Sequence, residues 1–339
     1  MRVAVMGAGG VGGYFGGMLS RGGNQVTLVA RGLHLGAISA QGLTLITDQE
    51  RLTVDCDSTD DPRQVGTADL VLLAVKTYHN AQAIAAMLPM VGPNTVVLCL
   101  QNGIDSYQAA VAGVGPEKVL PGAAYIEARI QEPGVVKQTG KVVRIVFGEL
   151  DGSDSERGKQ ILQALEQSGV PAQFVSDIHK TLWTKFLFIA SVAGVTSLSR
   201  ESMAELAPRP EWRPVILGCM EEVEAVARAS GVDLDPGIVE RTMDYIEANL
   251  VQMHASMHAD IMAGRPLEVE ALNGAVVRAG KAAGVPTPIN DIIYAMLKPF
   301  EKGASRLPQN PGGHERPPAE EQQSGPPAEP AAPRRDLLQ

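Results

Sequence analysis

The sequence predicts an α/β fold in which a doubly wound parallel sheet is followed by an all-helical domain. Three observations carry that prediction. Short β-branched runs alternate with helical patterns over the first half, strand signals vanish after about residue 177, and a glycine-rich turn falls between the first strand and the first helix. The runs Arg2–Met6, Gln25–Val29, Asp69–Val75 and Thr95–Leu100 read as strands. They are too continuously apolar for one-sided alternation, as expected where helices cover both faces of a parallel sheet. Val11–Arg21 and His79–Leu88 read as crossover helices. Tyr125–Phe147 is meander-like and resolves into no definite elements.

From about Asp177 the pattern is helical. Candidate helices cover Ile178–Leu198, Pro210–Ser230, Pro236–Asn249, His254–Ala263, Leu267–Ala283 and Asn290–Glu301, punctuated by Gly231, Gly264-Arg265-Pro266 and Gly284-Val285-Pro286. The expected organisation is a dinucleotide-binding domain over 1–176, a helical substrate domain over 177–305 and a proline-rich tail over 306–339. The tail holds eight of the 23 prolines and almost no large apolar side chain. Such a composition cannot offset chain entropy by burial, so disorder is expected there.

Composition narrows the function. The 339 residues exceed the usual span of one domain, and 45% hydrophobic against 20% charged residues supply a core. A net charge of −9 without a Lys/Arg cluster excludes a strong grip on nucleic acid or anionic lipid. Cys56, Cys99 and Cys219 are far apart and odd in number, with neither metal spacing nor a disulfide framework, which suits a reducing cytosol. No signal peptide and no apolar run of about 20 residues is seen. The expectation is a soluble cytoplasmic enzyme or ligand-binding protein that holds no metal.

Gly7-Ala8-Gly9-Gly10-Val11-Gly12 matches G-x-G-x-x-G. Among 36 glycines the pattern alone is weak, but it follows a strand and opens a helix, as a Rossmann-like dinucleotide site requires. Gly7 permits the tight turn, Gly9 the approach of backbone to pyrophosphate, and Gly12 close packing of helix on strand. The plainer alternative is a flexible strand-to-helix turn. NAD sites usually end the second strand with an Asp or Glu; this strand ends Leu28-Val29-Ala30-Arg31, and no carboxylate precedes Asp48. A guanidinium suits a 2′-phosphate, so NADP(H) is expected over NAD(H), unless Arg31 is merely a solvated loop residue.

Lys185 is the only formal charge between Lys180 and Arg200, set among Leu182, Trp183, Phe186, Leu187, Phe188 and Ile189. A buried ammonium is costly unless paired, and desolvation moves its pKa toward a range useful for proton transfer. Alternatively its stem snorkels to the surface. Glu268 is the natural partner, expected in the first turn of the next helix, where a carboxylate also simply complements the helix dipole. Ser256, in SMHAD, lies earlier.

Taken in order, GAGGVG, VARG, AVKT, QNGI, LWTKF, SMHAD and GRPLEVEALNG make the chain resemble ketopantoate reductase (2-dehydropantoate 2-reductase) over nearly all of residues 1–302. The resemblance implies a Rossmann domain and a helical domain with the active site between them. It also implies NADPH-dependent reduction of ketopantoate to pantoate, on the route to pantothenate and coenzyme A. It makes Lys185 the catalytic proton donor, with Glu268 supporting the reacting centre and contacting cofactor. Asn102 lies near nicotinamide and substrate, Ser256 binds substrate, Arg31 and Lys76 form a basic pair at the 2′-phosphate, and Ala128 offers a backbone contact to cofactor.

The chain departs from the family at two positions. Asparagines usually stand four and eight residues after the catalytic lysine; here those positions hold Ile189 and Ala193. Losing such a hydrogen bond commonly costs ~1–3 kcal/mol. The leading expectation is therefore reduction of ketopantoate; the alternative is a more apolar 2-keto acid on the same scaffold. A third reading is a non-catalytic NADPH sensor, against which the Lys185–Glu268 combination argues. The only partner expected is a small-molecule 2-keto acid, although exposed helices of the second domain could pair two copies into a homodimer.

Overall fold

The computed structural model describes residues 1–249 and 255–303, so the tail expected to be disordered lies outside the described residues. β1 (Arg2–Met6) leads through Gly7–Gly9 into α1 (Gly10–Arg21), and β2 (Gln25–Val29) into α2 (Gly32–Gln41). A small excursion follows: β3 (Leu43–Ile46), β4 (Arg51–Val54) and β5 (Asp57–Thr59). β6 (Ala68–Leu73), α3 (Asn80–Met87), β7 (Val91–Cys99) and α4 (Gln108–Val114) resume the alternation. The unassigned meander is a long hairpin of β8 (Val119–Glu132) and β9 (Val135–Phe147), turning at Pro133-Gly134, where Gly134 has φ of +79°. After α5 (Glu156–Gln167) and β10 (Ala172–Phe174) the chain is helical among the described residues.

The ten strands form one sheet in the order β4-β3-β9-β8-β7-β6-β1-β2-β5, with β10 against β9. β5, β2, β1, β6, β7 and β8 run parallel, and β8 pairs antiparallel with β9. From β1 the chain crosses to β2 on one side and later returns to β6 on the other. A crevice therefore opens at the carboxyl ends of β1 and β6, where open α/β sheets bind ligands.

The second region comprises α6 (Ile178–Ser199), α7 (Met203–Leu206), α8 (Arg213–Ala229), α9 (Ile238–Ala248), α10 (Ser256–Met262), α11 (Asn273–Ala283) and α12 (Pro288–Leu297). α6 starts where Asp177 accepts from the Lys180 N–H at 2.8 Å and stops at Arg200, whose φ of +66° ends the helical run. Apolar on most sides, α6 is a core helix. It is long and apolar enough to cross a membrane, with mean hydropathy 1.4, but 67% of that apolar window is buried inside the fold.

The described residues pack as one compact unit. Its apolar residues segregate. Two clusters line the sheet, and a third gathers Trp183, Phe186, Leu187, Met220, Val223, Val276 and Leu297 in the helical region. α6 belongs to both regions. Ile178 and Leu182 join a sheet cluster, while the next turns enter the helical one.

Candidate active site

Lys185 stands where α6 passes from one core to the other, half-buried between Leu182 and Phe186. Its Nζ donates to Asn102 Oδ1 at 2.9 Å and to the Ala124 carbonyl at 2.8 Å. Asn102 lies in the loop after β7, and Ala124 is on β8. Desolvation pulls the Lys185 pKa down to about 8, opposed by the field of Glu268. An ammonium has three donors. Two are engaged in these hydrogen bonds, which leaves one N–H.

The glycine turn lies at the other end of the same stretch of β8. A Cβ on Gly10 would run into the Ala128 carbonyl, so only glycine lets α1 begin this close to the strand. Gly7, at φ +100°, would place a Cβ 2.8 Å from Val75 Cγ1 and 2.9 Å from the Val75 nitrogen. At Gly9 a Cβ would meet nothing within 4 Å. Val11 and Gly12 continue into the helix, whose first turn holds no acidic residue. Ala124 and Ala128 are four residues apart on β8, roughly 13 Å along an extended strand. β8 thus joins the lysine to the glycine turn.

His34 secures this geometry without any sequence signal having marked it. Its Nε2 meets the Ala8 carbonyl at 2.9 Å, and its Nδ1 accepts from the Gly134 N–H at 3.0 Å. That pairing requires the neutral tautomer with the proton on Nε2, and burial lowers the ring's pKa accordingly. Arg31 caps α2 at the end of β2, exposed and in no ion pair among the described residues. Open space at Gly9, unopposed amides and a free guanidinium fit the diphosphate and 2′-phosphate of NADP(H).

The carboxylate expected beside Lys185 is placed differently. Glu268 lies in an irregular segment before α11, not in a helical first turn, and its side chain is only 6% exposed. Glu268 Oε2 accepts from Lys76 Nζ at 2.8 Å; Oε1 accepts from the Thr77 N–H at 3.0 Å and the Thr77 hydroxyl at 3.1 Å. Lys76 also donates to Asp260 at 3.0 Å, and Asp260 accepts from Arg265 Nε at 2.8 Å. Burial works against the Lys76 ammonium, but the two carboxylates outweigh it and hold its pKa above the usual lysine range. Glu268 thus acts on Lys185 through its field rather than by contact. Lys76, expected beside Arg31 at a 2′-phosphate, is occupied by acids of the helical region.

Asp260 and Thr77 are functional candidates that the residue-by-residue reading passed over, although both lie inside quoted motifs. Ser256 is the first residue of α10, exposed, one turn ahead of Asp260 and with no hydrogen-bond partner among the described residues. Ile189 and Ala193 pack with the helical core, so the face of α6 beyond Lys185 is aliphatic. A separate cavity of about 650 Å³, lined by Tyr107, His179, Trp183 and Arg278 among others, contains none of these groups.

The profile described as "Ketopantoate reductase PanE/ApbA" matches residues 3–152, and that described as "Ketopantoate reductase PanE/ApbA C terminal" matches residues 177–301. The chain belongs to the ketopantoate reductase family. It is an NADP-dependent oxidoreductase acting on CH–OH groups, with an N-terminal Rossmann-like sheet and a helical C-terminal domain. It is 30% identical to an uncharacterized oxidoreductase, YkpB, of Bacillus subtilis over 89% of this chain and 99% of that one. It is 28% identical to the 2-dehydropantoate 2-reductase of Mesorhizobium japonicum over 88% and 97%.

Among solved structures, a ketopantoate reductase from Ralstonia eutropha JMP134 superposes with a TM-score of 0.82 at 32% identity, covering 89% of this chain and 98% of that one. A ternary complex of D-mandelate dehydrogenase with NADH and anilino(oxo)acetate also reaches 0.82, at 26% identity and the same coverages.

Proposed function

We propose that this ketopantoate reductase family member reduces 2-dehydropantoate to pantoate, with Lys185 as the proton donor. One observation carries the proposal: the Lys185 ammonium is fixed by two acceptors, Asn102 Oδ1 and the Ala124 carbonyl, with a third N–H to spare. NADPH, when bound by the glycine turn and Arg31, would supply the hydride for the 2-oxo carbon. The spare N–H of Lys185 donates to the 2-oxo oxygen, stabilises the charge that grows there and delivers the proton. A pKa of about 8 suits this task, because the group is charged at neutral pH yet gives up its proton readily.

Asn102 holds the ammonium through its carbonyl oxygen, which leaves its amide nitrogen for the substrate. Glu268 favours the protonated Lys185 through its charge, and the exposed Ser256 would bind substrate. Arg31, the glycine turn and the Ala128 backbone would hold the cofactor. The domain limits 1–176 and 177–305 follow the same division of labour, with Lys185 at the boundary.

The aliphatic pair Ile189 and Ala193 favours a second reading, reduction of a more apolar 2-oxo acid. Oxidation of NADPH followed at the nicotinamide absorbance, with 2-dehydropantoate and a series of branched, linear and aromatic 2-oxo acids, separates the two. The proposal expects 2-dehydropantoate to have the highest kcat/KM, and a Lys185→Ala enzyme to lose on the order of 10²–10⁴-fold in kcat with NADPH affinity retained. Near-normal turnover in that variant would remove the lysine from the mechanism.

A further inference from the structure

Ile189 and Ala193 leave α6 without a polar side chain at either position beyond Lys185, and a 2-oxo acid is an anion entering a protein of net charge −9. A compensating cation should therefore stand near Lys185. Tyr125 follows Ala124 on β8 and is directly opposite Arg144 on β9. Side chains at directly opposed positions share one face of the hairpin. The Arg144 guanidinium lies 4.4 Å from the centre of the Tyr125 ring, and Lys185 Nζ lies 5.6 Å from the same centre, so the two cations are within about 10 Å of one another. A 2-oxo acid hydrogen-bonded at each end, at roughly 2.8 Å per bond, reaches roughly 8–9 Å.

Arg144 is exposed and makes no ion pair with a carboxylate among the described residues. Its guanidinium lies over the Tyr125 ring and hydrogen-bonds the phenol, and its other N–H groups have no hydrogen-bond partner among the described residues. Guanidinium geometry matches carboxylate bidentately, which an ammonium does not.

We propose that Arg144, held against Tyr125, binds the substrate carboxylate and sets the preference for 2-oxo acids, while Lys185 takes the 2-oxo oxygen. This rests on the 2-oxo acid reduction proposed above. Tyr125 is then a positioning residue that acts through the guanidinium.

The test compares wild type, Arg144→Gln, Arg144→Lys and Tyr125→Leu with NADPH, on a 2-oxo acid and on its uncharged 2-oxo amide. Arg144→Gln should raise KM for the acid roughly ten- to a hundredfold, the usual worth of a charge-assisted hydrogen bond. Its kcat should stay within about threefold, and KM for the amide should not move. Arg144→Lys should recover only part of the loss, and Tyr125→Leu should shift KM in the same sense by less. An Arg144→Gln enzyme whose KM for the acid stays within twofold of wild type overturns the assignment while leaving the proposed reaction standing. An equal rise for acid and amide also overturns it, because it marks a structural effect. A wild-type enzyme that turns over no 2-oxo acid overturns both.

Discussion

Lys76 and Glu268, 192 positions apart in the chain, meet at 2.8 Å and tie the carboxyl end of β6 to the segment before α11. The glutamate is almost fully enclosed, whereas the lysine side chain is 36% exposed. Removing the lysine alone leaves an enclosed carboxylate with only Thr77 and water. Lys76→Met should therefore destabilise the protein by about 1–3 kcal/mol, less than a fully buried pair because of that exposure. Lys76→Met combined with Glu268→Gln should recover part of the loss. Urea unfolding of the two single variants and the double variant measures both terms; strict additivity would contradict the pairing.

The activity should fall on the alkaline side. A lysine with its pKa near 8 is charged below that value and neutral above it, so kcat/KM for reduction should decline as pH rises through about 8. Glu268 raises the Lys185 pKa, so Glu268→Gln should move this limb to lower pH. Initial rates across pH 6–10 give the result, and a shift to higher pH would contradict the electrostatic account.

Arg31 should discriminate between cofactors without help from Lys76. Arg31→Ala should raise KM for NADPH roughly ten- to a hundredfold while changing KM for NADH little. Lys76→Met, with its ammonium already committed to Glu268 and Asp260, should leave the NADPH/NADH ratio within about threefold of wild type. Steady-state kinetics with both nucleotides distinguish a single 2′-phosphate ligand from a basic pair.

Gly10 should tolerate no side chain. Gly10→Val forces either α1 or β8 to retreat from the Ala128 carbonyl, so NADPH binding followed by fluorescence should weaken at least tenfold. Gly9→Ala has free space in the protein alone, and its defect should appear only in cofactor affinity, with Tm unchanged.

The aliphatic face beyond Lys185 makes a substrate prediction. Ile189→Asn should favour 2-dehydropantoate over an apolar 2-oxo acid by about 1–3 kcal/mol in relative kcat/KM, the worth of one specific hydrogen bond. A competition assay with both substrates reads the ratio directly.

Much of this was legible in the residues. Continuous apolar runs marked β1 and β2 to the residue, and the single charge in LWTKF marked Lys185. What escaped was long-range pairing. The β8–β9 hairpin blurs because Val135–Phe147 is buried at both ends and exposed in the middle, so no single period describes it. Glu268 reads as the first turn of a helix because it follows Gly264-Arg265-Pro266, yet it pairs with Lys76 and Thr77 in a segment that stays irregular until Asn273. His34 and Asp260 matter through partners 100 and 184 positions away, which local patterns do not encode.

Because α6 is anchored at one end in the sheet's hydrocarbon and along the rest in the helical bundle's, it serves as a common axle. The backbone at Lys185 is therefore placed against Asn102 and Ala124 by the packing of both bodies. A lesion that merely softens either body, such as a shaved methyl at Leu182 or Phe186→Leu, should therefore blunt turnover before any melting is seen. Under the proposed mechanism, mechanical integrity and proton delivery become one and the same property.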